Sequence, residues 1–279
     1  MSDIKTDLIG SAPRICVDHA GSGELLLLMH GIGGNRTNWA EQISQLARHF
    51  HVVAWDARGY GGSDDYDGPL EFSDYTHDVI RVLDHFGAAK AHIAGLSMGG
   101  RIAMDLAEKY PDRILSLTLI DTHPGFGHLS EEKKAEFIRL RKEPLMNGME
   151  PKDIAGPVAK TLIGPKASEA AYQRLVESMT ALHKESYIKS IEATVRSPNH
   201  ERLEDIRVPT HVIVGEDDRL TPPDIGRHIA DRITGAELTI IPNAGHLVNI
   251  EQPEAFNAAM LSFLKPRRFK TLSDGVRSG

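Results

Sequence analysis

Gly95-Leu96-Ser97-Met98-Gly99 stands where the apolar run Ala91-His92-Ile93-Ala94 ends and a helical pattern, Arg101-Ile102-Ala103-Met104-Asp105-Leu106, begins. The run predicts a buried strand and the pattern a helix, so the serine falls at a sharp strand-to-helix turn. Such a turn pushes a hydroxyl out above the sheet edge, and the flanking glycines let backbone pack closely around it. The helix beside it aims free backbone N–H groups at any oxyanion formed there. Spacing alone decides little, because glycine and serine are common residues. The rest of the chain must supply the partners.

Outward from this turn, short runs rich in Val, Ile and Leu recur at 24–30, 51–56, 114–121, 210–215 and 237–241. They are nearly continuous rather than alternating, as strands buried on both faces are. Helical patterns lie between them, near 38–50, 72–86, 98–110 and 223–233, with a last one at 253–264. This order predicts an α/β fold with a doubly wound, mostly parallel sheet and right-handed crossovers. Residues 14–18 add a candidate edge strand.

One connection breaks the rhythm. Roughly ninety residues separate Asp121 from Thr210 without a convincing strand, too many for a structureless loop in a compact domain. They read as four helical segments, 130–142, 151–163, 168–181 and 184–196, punctuated by Pro144, Gly148, Pro151, Gly156, Pro157, Gly164 and Pro165. The expected organisation is therefore a core of residues 1–121 and 208–266, an inserted helical cap of residues 122–207, and a polar C-terminal tail of residues 267–279.

Composition narrows the partners. The chain has 279 residues, 41% apolar and 25% charged, with a formal net charge of −7, and no basic stripe that would suit nucleic acid. Met1 to Asp7 carries no apolar signal region, and the longest apolar run, Leu25 to Met29, is far too short to span a bilayer. The single cysteine, Cys16, precludes an internal disulfide and reads as a small buried residue of a cytoplasmic protein. Scattered histidines without metal-ligand spacing imply no metal. Gly31-Ile32-Gly33-Gly34 fails the dinucleotide pattern because position 36 is Arg36, so no cofactor is expected. The expected partners are a small-molecule substrate and, at most, a second copy of the chain in a homodimer; neither nucleic acid nor membrane is expected.

A serine hydroxyl is a poor nucleophile at neutral pH and needs an adjacent base, itself oriented by a third group. In an open α/β sheet these groups belong in loops after the carboxyl ends of strands. Two such loops carry candidates: Glu216-Asp217-Asp218-Arg219-Leu220-Thr221-Pro222 and Pro242-Asn243-Ala244-Gly245-His246. The order Ser…Asp…His is that of one convergent solution to this chemistry.

With these segments in place, the chain resembles the α/β-hydrolase fold superfamily over roughly residues 13–266. The matching stretches are His30-Gly31-Ile32-Gly33-Gly34, Asp56-Ala57-Arg58-Gly59-Tyr60-Gly61-Gly62-Ser63, Gly95-Leu96-Ser97-Met98-Gly99-Gly100, Gly215-Glu216-Asp217-Asp218 and Gly245-His246. The resemblance implies Ser97 as nucleophile, His246 as base and Asp218 as the orienting carboxylate. The family's G-x-x-D-x-x-x-P loop fits Gly215, Asp218 and Pro222, whereas Asp217 is one residue out of register. Asp121 remains an alternative, because some relatives carry the acid at that strand end. The implied oxyanion hole combines the backbone N–H groups of Ile32 and Met98, with Gly31 admitting a close approach of substrate. His30 is expected to brace this loop, and Asp56 and Arg58 to form a structural turn.

Serine at the nucleophile position argues against haloalkane dehalogenases and epoxide hydrolases, whose relatives carry aspartate there. Within the superfamily the chain is most similar to the 3-oxoadipate enol-lactonase and small carboxylesterase group, which implies hydrolysis of a small to medium ester or lactone. The carbon–carbon hydrolases of meta-cleavage pathways are the alternative, although they often carry Asn before the serine, where this chain has Leu96, and a G-P-G stretch after the His-Gly, where it has Ile32-Gly33-Gly34-Asn35. Lyases, cofactor-free oxygenases and ligand receptors also share the fold. The cap should cover the crevice and touch substrate. Among its Arg139, Arg141, Lys142, Lys160 and Arg174, the first and last are the selected candidates for a substrate carboxylate.

Overall fold

The computed structural model describes residues 3–127, 129–200 and 202–265. The tail expected at 267–279, and residue 266 of the expected core, lie outside them. Eight strands form one sheet: β1 (Lys5–Ile9), β2 (Ile15–Ala20), β3 (Leu25–Met29), β4 (His51–Trp55), β5 (Ala91–Leu96), β6 (Ile114–Ile120), β7 (Thr210–Gly215) and β8 (Glu237–Ile241). Their spatial order is β1-β2-β4-β3-β5-β6-β7-β8. From β4 to β8 every pairing is parallel, while β1 and β2 pair antiparallel at one edge.

The apolar runs explain the central strands. All five residues of β3 and all six of β5 and β7 are buried, as a sheet covered on both faces requires. The core helices follow the apolar spacing. They are α1 (Ala40–Leu46), α2 (Phe72–His85), α3 (Met98–Lys109), α8 (Pro223–Arg232), the short α9 (Val248–Glu251) and α10 (Pro253–Leu264). In α2 the buried Phe72, Tyr75, Thr76, Val79, Val82 and Leu83 fall three or four apart and line one face. Helix α1 packs on α10, and α2 on α3.

Between β6 and β7 lie four helices: α4 (Glu131–Met146), α5 (Pro151–Leu162), α6 (Glu169–Thr180) and α7 (Lys184–Arg196). Their starts are locally encoded. Ser130 and Ser168 accept hydrogen bonds from the N–H groups of Lys133 and Ala171, and Pro151 opens α5. Pro144 and Pro157 were expected to mark boundaries, yet α4 and α5 run through them. Each proline removes one N–H from the ladder, a loss these helices absorb where packing holds them. Within the insert α5 packs on α6 and α4 on α7.

The sheet order also fixes where a ligand can enter. From β3 the chain steps to β4 on one side, then returns across it to β5 on the other. The loops after β3 and β5 therefore diverge from neighbouring strand ends, since Met29 pairs with Gly95, and leave a crevice between them. Among the described residues, no helix is long and apolar enough to cross a membrane.

Candidate active site

Ser97 sits in that crevice, between the last residue of β5 and the first of α3, with φ 55° and ψ −112°. This is backbone that a residue with a side chain rarely adopts. It is held by three hydrogen bonds. The Ser97 N–H donates to Ile120 O at 2.9 Å, and its carbonyl accepts from Arg101 N at 3.2 Å and Thr122 Oγ1 at 2.7 Å. The glycines around it are steric requirements. A Cβ on Gly95 would lie 2.1 Å from the Gly99 carbonyl oxygen, and one on Gly99 would lie 2.4 Å from that of Met29.

The histidine loop follows β8. His246 is buried, and its Nδ1 donates to Asp218 Oδ2 across 2.9 Å. Asp218 follows β7 and is encircled by donors. Its Oδ1 accepts from the N–H groups of Leu220 (2.8 Å) and Thr221 (3.0 Å), and its Oδ2 also accepts from Thr221 Oγ1 at 2.6 Å. Burial pushes this carboxyl up, but the charge of His246 and the bonds from His246 and Thr221 outweigh burial and hold it down at about 2. An ionised, acceptor-only Asp218 fixes the proton on Nδ1 of His246 and leaves Nε2 as the ring's basic atom. Sequence reading missed Thr221 as a participant; a threonine three residues after an aspartate is the turn signal that would have found it.

Asp121 is spent elsewhere. Also at positive φ and fully buried, it accepts Gly215 N–H at 2.8 Å and Val248 N–H at 3.3 Å, tying the end of β7 to α9. Burial, and then the charge of Asp218, push its carboxyl well above the usual range. Asp217 binds through its own N–H to Ala244 O at 2.8 Å.

Glu251 was missed altogether. Its Oε2 accepts from Gly164 (2.8 Å) and Gly245 (2.9 Å), and its Oε1 from Leu247 (3.1 Å). Three backbone N–H groups around His246 thus converge on one buried carboxylate, one of them from the segment just after α5. The His246 N–H itself donates to Leu162 O at 2.9 Å. Glycines permit the approach, since a Cβ on Gly245 would lie 2.4 Å from Gly164 N and one on Gly215 would lie 2.1 Å from Gly245 O. No short sequence pattern announces a contact between segments this far apart.

Ser97, His246 and Ile32 line a cavity of about 250 Å³, and a narrow recess of about 20 Å³ beside it is lined by the same three and by Gly31. Met98 also lines the cavity and is the first residue of α3, where a helix N–H has no intrahelical acceptor. A Cβ on Gly31 would stand 2.9 Å from that of Ser97, so bulk there would close the recess. His30 braces the loop as expected, its Nδ1 donating to Gly31 O at 2.8 Å and its Nε2 accepting from Ala57 N at 3.1 Å. Asp56 accepts from the N–H groups of Arg36 (2.6 Å) and Gly62 (2.7 Å), and Arg58 pairs with Asp78 at 2.6 Å. Both build the turn.

The cap candidates need correction. Arg139 points away from the cavity and pairs with Glu136 at 2.7 Å and with Glu143 on its own helix. Arg174 pairs with Glu41 of α1. Neither lines the cavity; Arg141 does, together with Arg101 of the core. No group of three or more His, Cys, Asp or Glu side chains suited to a metal occurs among the described residues.

A serine at a strained strand-to-helix turn and a carboxylate-held histidine thus share a crevice at a switch point of the sheet. The chain belongs to the alpha/beta hydrolase fold family, whose profile matches residues 24–253. It is 31% identical to a putative carbamate hydrolase of Azorhizobium caulinodans, over 87% of this chain and 92% of the other. It is also 31% identical to a 2-hydroxy-6-oxononadienedioate/2-hydroxy-6-oxononatrienedioate hydrolase of Burkholderia vietnamiensis, covering 92% of each chain. The enol-lactonase structure from Burkholderia xenovorans superposes with a TM-score of 0.81 at 28% identity, over 90% of this chain and 96% of that one.

Proposed function

We propose that the protein hydrolyses a small to medium carboxylic ester or lactone through an acyl-enzyme on Ser97. The observation that carries this reading is the 2.9 Å bond from His246 Nδ1 to Asp218, in a ring that shares its cavity with Ser97. His246 Nε2 takes the Ser97 proton as Oγ attacks the carbonyl carbon, and the carbonyl π pair moves onto oxygen. The backbone N–H groups of Ile32 and Met98 receive that oxyanion. The carbonyl re-forms, the C–O bond to the leaving alcohol breaks, and His246 hands the proton to the departing oxygen. Water, deprotonated by His246, then attacks the acyl carbon; the bond from that carbon to Ser97 Oγ breaks, His246 returns the proton to Oγ, and the acid leaves. Asp218 holds the ring and stabilises its cation throughout. The helical insert forms a cap that sets which acyl groups enter.

Carbon–carbon cleavage of a vinylogous diketone acid is the second reading, supported by the 31% identity to a hydrolase named for such substrates. Leu96 before the serine, and Ile32-Gly33-Gly34 after His30-Gly31, support ester or lactone chemistry instead. The test is a panel of a p-nitrophenyl ester, a lactone and a meta-cleavage dienone acid on one preparation, with fluorophosphonate labelling. The expected result is ester or lactone turnover, a label on Ser97, and a loss of about a million-fold in kcat in Ser97→Ala. Turnover of the dienone alone would overturn the ester reading. Absence of both label and turnover would overturn the hydrolase reading.

A further inference from the structure

The narrow recess beside Ser97 and His246 has polar walls that the acylation chemistry leaves unused. Asn38, Trp39 and Asn249 line it together with those two residues and Gly31. All three are more than nine-tenths buried. Each carries an atom without a hydrogen-bond partner among the described residues: Asn38 Nδ2, Trp39 Nε1 and Asn249 Oδ1. A buried polar group left unpaired is costly, so three of them around one recess of about 20 Å³ call for a common ligand.

Local hydrogen bonds fix which end of each amide is spare. Asn38 lies in a single 3-10 turn after β3, Arg36–Trp39, and its Oδ1 accepts the Asn35 N–H at 2.9 Å. Its nitrogen is therefore the free end. Asn249, in α9, spends its Nδ2 on the Asn38 carbonyl at 2.9 Å, and Gln42 Nε2 holds the Asn249 carbonyl at 3.0 Å. Its free end is the oxygen. The Trp39 indole only donates, and its ring packs on Phe256 with centroids 6.2 Å apart. The set thus presents donors from two residues and one acceptor. A carboxylate has no hydrogen to give Asn249 Oδ1, and an ammonium cannot receive from Asn38 or Trp39. A water both gives and receives, and it needs only about 10–15 Å³. No acyl chain fits a recess of this size.

We propose that Asn38, Trp39 and Asn249 seat the water that hydrolyses the acyl-enzyme on Ser97, a role that rests on the hydrolase reading above. The water oxygen accepts from Asn38 Nδ2 and Trp39 Nε1. One of its O–H groups goes to Asn249 Oδ1, which leaves the other for His246 Nε2. As Nε2 takes that proton, the oxygen gives up one donor, and the lone pair so freed forms the bond to the acyl carbon. The carbonyl π pair moves onto its own oxygen. The three side chains are positioning residues, since they act through the water. A seat of water size also favours hydrolysis over transfer of the acyl group to an alcohol.

The test has a structural arm and a kinetic one. A crystal structure of the resting protein should show one water within hydrogen-bond reach of Asn38 Nδ2, Trp39 Nε1 and Asn249 Oδ1; a recess without it overturns the seat. The kinetic arm turns over p-nitrophenyl acetate in aqueous methanol and reads the ratio of acetate to methyl acetate. Trp39→Phe removes one donor and keeps an aromatic ring, and Asn249→Leu removes the acceptor. In each the ratio is expected to fall about tenfold, because methanol, kept out of the recess by its methyl group, does not use the seat. The p-nitrophenolate burst should slow by less than about twofold. The ratio reports on the acyl-enzyme alone, so a loss of folded protein or of substrate affinity leaves it unchanged. Should Asn249→Leu not fold, Trp39→Phe carries the comparison. Burst and turnover falling together at an unaltered ratio overturn the water's role. If no ester is cleaved and Ser97 takes no label, the hydrolase reading fails and the water's role with it, whereas the ordered water in the crystal still upholds the seat.

Discussion

The core and the helical insert hold the side chains around the Ser97 cavity in opposite ways. In the core, backbone does the holding: Asp218 takes two main-chain N–H groups, Glu251 three, and Ser97 is fixed through its own amide and carbonyl. In the insert, Arg141 is placed by a helix face and by ring stacking on Phe137. Main-chain positioning tolerates few residue types, because it depends on glycine clearance and on exact turn geometry. Face positioning tolerates many. The two regions are thus expected to differ in how much change their side chains tolerate.

The largest expected effect separates the carboxylates of the core. Asp218→Asn should lower kcat about ten-thousandfold, because an amide at this position stabilises neither the required tautomer nor the imidazolium. Asp121→Asn should cost about 1–3 kcal/mol of stability, read from urea unfolding, with turnover reduced by less than about tenfold. Equal kinetic losses would break the division between an orienting acid and a structural one. A pH dependence follows from the same group. Asp218 titrates near 2 when folded, below its ordinary 3.8. Its contribution is thus fully present above about pH 4 and lost as the pH falls through 2. The urea midpoint of Asp218→Asn should depend less steeply on pH across that window.

Next comes clearance. Gly99→Ala places a methyl 2.4 Å from the Met29 carbonyl, against backbone that cannot turn aside. A loss above about 3 kcal/mol, or no folded protein at all, is expected. A well-folded Gly99→Ala of wild-type melting temperature would show that the core holds Ser97 less rigidly than these distances imply.

Much of this contrast was legible in the chain. The parallel strands announced themselves as continuous apolar runs, and glycines at 95, 99, 215 and 245 marked places where backbones meet. The edge strand β1 did not, because four of its five residues are exposed and Lys5-Thr6-Asp7 reads as loop. Glu251 was hidden for another reason: its partners come from residues 164 and 245–247, and proximity of that kind exists only after folding. Arg141 could have been preferred to Arg139. Ile138 and Leu145, the buried residues of α4, share a face with position 141 at spacings of three and four, while 139 is turned aside.

Glu251 is where the two regions meet, so replacing it tests whether they are mechanically separate. Glu251→Gln preserves shape but turns an amide NH2 toward N–H donors from Gly164, Gly245 or Leu247. About 1–3 kcal/mol of stability should be lost. kcat should fall more than KM rises, since the His246 loop loses its anchor while the cavity wall at Arg141 is untouched. A change confined to KM would place Glu251 with the insert.

The smallest effect is expected on the outer face of α4. Arg139 is exposed and paired only with acids of its own helix, an arrangement that contributes little in water. Arg139→Ala should leave the melting temperature and the KM for a p-nitrophenyl ester unchanged within error. Any shift in that KM would mean that charge on α4 acts on the cavity from a distance. If Arg139→Ala is silent and Arg141→Gln is not, two residues on one helix will have separated solvent-facing charge from a charge that lines the cavity. The insert would then be resolved at the level at which the core already is.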